Sequence, residues 1–96
     1  MQLLTPELRK QLPPLGASER NADPIVLFKF FTPDSNWTWY AIEFDGDDIF
    51  FGLVDGFDEE LGTFSLSELE SLTGPLGLHV ERDLHFEPIP LSKLLH

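Results

Sequence analysis

"WTWYAIEFDGDDIFFGLV", residues 37–54, decides the fold. Residues 37–44 are dense in aromatic and β-branched side chains, and alternation along a strand puts Trp37, Trp39 and Ala41 on one face and Thr38, Tyr40, Ile42 and Phe44 on the other. Apolar bulk on both faces places this strand in the middle of a sheet. Asp45-Gly46 then reads as a two-residue hairpin turn, because a type I′ turn needs positive φ at both central residues and Asp-Gly adopts it at low cost. Residues 47–54 form the antiparallel return.

Upstream, "IVLFKFF" (25–31) is a second strand, closed by the turn "TPDSN". Residues 15–24 have loop composition, and before them "TPELRKQL" starts a short helix with Thr5 as N-cap and Pro6 at the first helical position, ended by Pro13-Pro14. Downstream, the loop "DGFDEE" leads into a short strand "LGTF" (61–64). "SLSELESL" is a helix: Ser65 and Glu68 have capping-box spacing, Leu66, Leu69 and Leu72 form an apolar stripe, and Gly74-Pro75 stops it. Residues 78–87 alternate cleanly, with Leu78, Val80, Leu84 and Phe86 inward and His79, Glu81, Asp83, His85 and Glu87 outward. Arg82 interrupts the inward row and is expected to meet a carboxylate, since an unpaired charge near a core is costly. The tail "PIPLSKLLH" has room for one more helical turn. The expectation is a single α+β domain over residues 1–96, with an antiparallel sheet of four or five strands and two or three short helices.

Ninety-six residues, 42% of them hydrophobic and 12% aromatic, suit one core. The absence of cysteine excludes thiolate metal sites, dithiol redox motifs and disulfides. Residues 1–16 lack a signal-peptide core, and no apolar run has the length of a membrane span, so a cytoplasmic protein is expected. Seventeen acids against six bases give a net charge of −11, and no Lys or Arg lies between Lys29 and Arg82. Sequence-independent binding to nucleic acid depends on neutralising phosphates with Lys and Arg. Direct nucleic-acid binding is therefore not expected, despite side chains that could stack on bases.

The acids Glu43, Asp45, Asp47 and Asp48 around the first turn, and Asp58, Glu59 and Glu60 in the next loop, are the candidate partner-binding set together with Trp37, which abuts a polar turn. A shallow apolar patch rimmed by acids suits a basic protein partner. Neutralising Asp45, Asp47, Asp48, Asp58, Glu59 and Glu60 is expected to leave stability unchanged or slightly raised, because a self-repelling surface loses repulsion. They do not complete a calcium loop, since Ile49 stands where a third ligand belongs, and no metal or cofactor is expected. The alternative is a small metal-dependent or hydrolytic enzyme using the His79–His85 strand face. No nucleophile elbow supports it, and no catalytic residue is assigned.

Four blocks, "LLTPELRKQLPPL", "KFFTPDSNWTWY", "FFGLVDGFDEELGTFSLSEL" and "GPLGLHVERDLHF", together resemble the domain-of-unknown-function family 2958 of bacteria over nearly the whole chain. The resemblance implies a small protein of plasmids, phages or integrative elements, sometimes joined to DNA-processing or antirestriction-type domains, and it carries over no catalytic residue. With the charge, it implies a non-enzymatic acidic interaction module, an accessory or DNA-mimicking antirestriction protein. Duplex DNA carries roughly 18 charges over 30 Å. Mimicry requires a comparable number of acids on one side of the molecule.

Overall fold

The computed structural model describes residues 2–95. Helix α1 (Pro6–Arg9) begins where Thr5 caps it, the Thr5 hydroxyl accepting from the Leu8 amide at 3.3 Å. The segment expected as one strand over 25–31 is two: β1 (Ile25–Val26) and β2 (Phe28–Phe31). They belong to different sheets, because the Leu27 amide between them donates to Ala41 while β1 turns away to another partner. Strands β3 (Thr38–Phe44), β4 (Ile49–Asp55) and β5 (Glu59–Ser65) follow as an antiparallel meander of seven-residue strands. Helix α2 (Leu66–Ser71) leaves β5 directly, its first turn capped by the Ser65 hydroxyl, which accepts from the Glu68 amide at 3.0 Å.

The expected last strand shrinks to β6 (Glu81–Arg82). Only Val80 of the four inward residues is buried, and Leu78 and Leu84 are exposed. The chain turns at Asp83, whose carboxylate accepts from the His85 amide at 2.9 Å, and this turn overrides the alternating pattern. A short β7 (Ile89–Pro90) pairs with β1, and a 3₁₀ turn over Leu91–Lys93 fills the place of the expected tail helix. The fold is α+β and mostly sheet. The main sheet has five antiparallel strands in the order β5-β4-β3-β2-β6, with β3 central as its two apolar faces require.

Both faces are covered. On the first, Leu3, Leu4 and Leu12 from the N-terminal segment and Leu66 and Leu69 from α2 close over Phe30, Trp39, Ala41, Phe44, Phe50 and Phe64. On the second, the β1–β7 ribbon and Leu91 cover Ile42 and Leu53, with Tyr40, Phe51 and Phe86 packed alongside. A bulge between Ala41 and Glu43 inserts Ile42 as an extra residue. It turns Phe44 onto the face of Trp39 rather than that of Tyr40, against strict alternation.

The β3–β4 hairpin forms where expected, but its turn is different. Residues 45–48 make a four-residue connection closed by the Asp45 amide donating to the Ile49 carbonyl at 2.8 Å. Only Gly46 has positive φ, at +89°, so a two-residue type I′ turn is ruled out. Gly46→Val should lower stability by about 1–2 kcal/mol, the cost of holding a branched residue in left-handed geometry. A thermal melt matching the unaltered protein would mean that the turn can be rebuilt without that geometry.

Candidate functional site

The residues expected to form one acidic surface have three different fates. Glu43 is buried, with 3% of its surface exposed. Its Oε1 accepts from the Gly16 amide at 2.9 Å and its Oε2 from the Ser18 amide at 2.7 Å, with the Ser18 hydroxyl as a third donor. Burial pushes the Glu43 carboxyl up, but the bonds from Ser18 and Gly16 together outweigh it and hold the group below the ordinary glutamate value. Glu43 is therefore an anchor for the 15–24 loop, which corrects its placement among surface acids. Its nearness to the acidic turn was misleading, because the bulge after Ala41, invisible in the pattern, redirects the strand at this point.

Asp45 and Asp48 are at the surface but engaged. Asp45 Oδ1 accepts from the amides of Asp47 (2.8 Å), Asp48 (2.8 Å) and Ile49 (3.0 Å), and these bonds hold its carboxyl below the usual aspartate range. Asp48 clips the first turn of α2 to the hairpin, accepting from the Ser67 amide at 2.8 Å and the Ser67 hydroxyl at 3.0 Å. Neutralising these two carboxylates weakens charge-assisted bonds that hold the turn and the start of α2, so a small loss of stability is expected for them instead. Asp47 is exposed.

Asp58, Glu59, Glu60 and Trp37 lie elsewhere. The 45–48 turn enters β4 and the 56–58 turn leaves it, so the two acidic groups sit at opposite ends of a seven-residue strand, about 20 Å apart. Glu59 and Glu60, expected in a loop, are the first residues of β5, opposite Asp55 and Val54 in register. The charge gathered at this end is felt by Tyr40: burial pushes its phenol up, and Asp55, Glu59 and Asp83 push it further.

At the same end the structure brings together Trp37, expected near the surface, Trp39 of the strand interior, and Phe57 from the loop expected after β4. Trp37 stacks on Trp39 with centroids 6.0 Å apart, and the Phe57 ring stands edge-on to Trp37 at 5.4 Å. Phe57, at the tip of the β4–β5 turn, is 92% exposed. Gly56 permits the arrangement, since a β-carbon there would lie 2.4 Å from the Trp37 ring. An aromatic residue inside an otherwise polar loop, flanked by Gly56 and Asp58, was the available signal for Phe57.

Between this aromatic group and α2 lies a cavity of about 670 Å³, lined by Trp37, Trp39, Val54, Phe64, Glu68 and Leu69 among others. Its outer wall, the loop after α2, is held by Asp34 Oδ2, which accepts from the amides of Leu76 (2.7 Å) and Leu78 (3.4 Å). The cavity has the size of a small-molecule or side-chain pocket. Among the described residues Glu68 is the only charged one on its wall, and no histidine lines it.

The residues of the enzyme alternative do not share a strand face. His79 forms an isolated bridge with Thr73, and His85 lies beyond the turn at Asp83. Among the described residues no three His, Cys, Asp or Glu side chains gather as a metal-holding group. The Arg82 guanidinium donates to the main-chain carbonyls of Gln2 (3.0 Å) and Leu3 (2.6 Å), pinning the N-terminal segment across the first face. Among the described residues no helix is long and apolar enough to cross a membrane.

Fold and site together define a small, strongly acidic α+β domain with an exposed aromatic residue at one end of its sheet. The chain belongs to the DUF2958 family of proteins of unknown function, whose profile matches residues 3–96. No curated protein and no solved structure matches it.

Proposed function

We propose that the protein is a non-enzymatic interaction module that binds a basic protein partner through the Phe57 end of its sheet. The observation that carries this reading is Phe57 itself, 92% exposed and seated on Trp37. Its neighbours Asp55, Asp58, Glu59 and Glu60 supply a polar, negative rim. A rigid aromatic anchor within such a rim is the usual anatomy of an interface centre. The absence of any Lys or Arg between Lys29 and Arg82 favours a cationic partner, whose encounter the field of a −11 domain accelerates.

The finer reading is a cytoplasmic accessory or antirestriction protein of a mobile element. It draws on the net charge and on the resemblance named above. DNA mimicry within that reading has less support: Glu43 is buried, and the other acids of the candidate set fall into two groups at opposite ends of β4.

The test is capture of partners from a host lysate at several salt concentrations, using the unaltered protein, Phe57→Ser, and the triple change Asp58→Asn, Glu59→Gln, Glu60→Gln. Phe57→Ser should melt like the unaltered protein, because it removes an exposed ring, and should lose capture at every ionic strength. The triple variant should lose capture most steeply at low salt, where the Debye length exceeds about 10 Å and exposed charges are least screened. If the triple variant held its partner equally well at all salt concentrations, the acids would serve solubility alone and the reading would fail.

A further inference from the structure

Strand β5 is one edge of the main sheet, and the hydrogen-bond pattern shows which of its groups face outward. The Asp45 amide donates to Ile49 O and the Leu66 amide donates to Asp48 O, both at 2.8 Å. The main-chain groups of Ile49 therefore face β3, and those of Asp48 face the β5 side. Main-chain direction alternates along a strand, so Phe50, Gly52 and Val54 address β5 and are met by Phe64, Gly62 and Glu60. The main-chain N–H and C=O groups of Leu61 and Thr63 consequently point away from the sheet. Among the described residues β5 pairs with β4 alone.

Soluble proteins ordinarily blunt such an edge by making it short or by placing lysine, proline or a bulge on it. The opposite edge follows that rule, since β6 has two residues. β5 has seven, with no lysine, proline or bulge, and Leu61, its third residue, is 53% exposed. A hollow lies on each side of it. On the α2 face is the cavity of about 670 Å³ walled by Trp37, Trp39 and Glu68. On the other face is one of about 450 Å³ walled by Leu15, Phe51, Leu61 and Leu91. Thr63 borders both, and the β-carbon position of Gly62 faces open space.

We propose that β5 accepts an extended, basic segment of the partner as a sixth strand. This rests on the reading of the protein as an acidic interaction module and specifies how the partner is held. Main-chain hydrogen bonds to Leu61 and Thr63 supply affinity, and because strand side chains alternate, successive residues of the added segment enter opposite hollows. The hollow with the two tryptophans and Glu68 takes an arginine or lysine, whose charge is stabilised by the aromatic faces and the carboxylate. The hollow lined by leucines takes an aliphatic side chain. A second copy of this chain is a poorer occupant, since two domains of net charge −11 would have to meet edge to edge.

The test uses the whole chain and a synthetic peptide of alternating arginine and valine. Its control has the same composition with D-valine at every second position, which preserves charge but abolishes the ordinary strand conformation. Binding is measured by calorimetry, and main-chain hydrogen exchange is followed by NMR. The all-L peptide should slow exchange at Leu61 and Thr63. Thr63→Pro, which removes an outward N–H at a position where an edge strand tolerates proline, should weaken binding by about tenfold or more. Thr63→Ala, which keeps that N–H, should stay within about twofold.

Equal binding of both peptides, with Thr63→Pro unaffected, would overturn strand addition while leaving the acidic-module reading intact. Failure of both peptides to bind even at low salt would overturn the two together. A dimer in sedimentation equilibrium with Leu61 and Thr63 already protected would make a second copy the occupant and overturn the proposal. Should Thr63→Pro fail to fold, exchange at Leu61 and Thr63 in the unaltered protein decides.

Discussion

Phe50→Ala should lower stability by about 3–5 kcal/mol, the range for truncating a buried aromatic. In a domain whose total stability is on the order of 5–15 kcal/mol, that is enough to unfold much of the population at 37 °C. Phe50 is completely buried in β4, with the rings of Phe44 at 4.5 Å, Phe64 at 5.1 Å and Phe30 at 5.6 Å. Those three rings belong to β3, β5 and β2, so the cavity left by alanine opens where four strands meet. They cannot all close inward without disturbing the sheet register. Urea denaturation followed by tryptophan fluorescence measures the loss. A midpoint within error of the unaltered protein would show that the first-face core is not the main source of stability.

Glu43→Ala should be the second most damaging change, at about 2–4 kcal/mol, because a buried donor left without its acceptor costs roughly 1–3 kcal/mol and three donors converge on this carboxylate. All three, the Gly16 and Ser18 amides and the Ser18 hydroxyl, belong to the loop that precedes β1, so amide exchange there should rise more than elsewhere. The same residue gives the protein an acid limb. Its folded carboxyl is held below the ordinary value of 4.5, so its contribution is fully present above that pH and is lost as pH falls through the lower folded value. Glu43→Gln should therefore flatten stability against pH below about 4.5 relative to the unaltered protein. Parallel acid limbs in the two proteins would show that the carboxylate is not stabilised by its Ser18 and Gly16 bonds.

Local rules carried much of the fold. Thr5 and Ser65 cap the helices that their spacing announces, and the 37–54 hairpin forms with β3 at the centre of the sheet, as two apolar faces demand. These features depend on contacts within a few residues, or on a periodicity long enough to leave one solution. The short pattern at 78–87 was different. Its alternation was real, but an Asx turn at Asp83 supplied the backbone with a competing partner and ended the strand after two residues.

The candidate site was legible only as chemistry, not as place. Sequence by itself determined the charge of −11, the absence of thiols and the long stretch without cations. Tertiary structure decided which acids are free to meet a partner. The bulge after Ala41 buried Glu43, the length of β4 separated the acids of the two turns, and the fall of the β4–β5 turn over Trp37 left Phe57 in solvent. The physical reason is that charge is a sum over residues and survives any folding, whereas exposure depends on long-range packing. Glu43 lies 25 residues from the serine that buries its charge, and no spacing rule reaches that far.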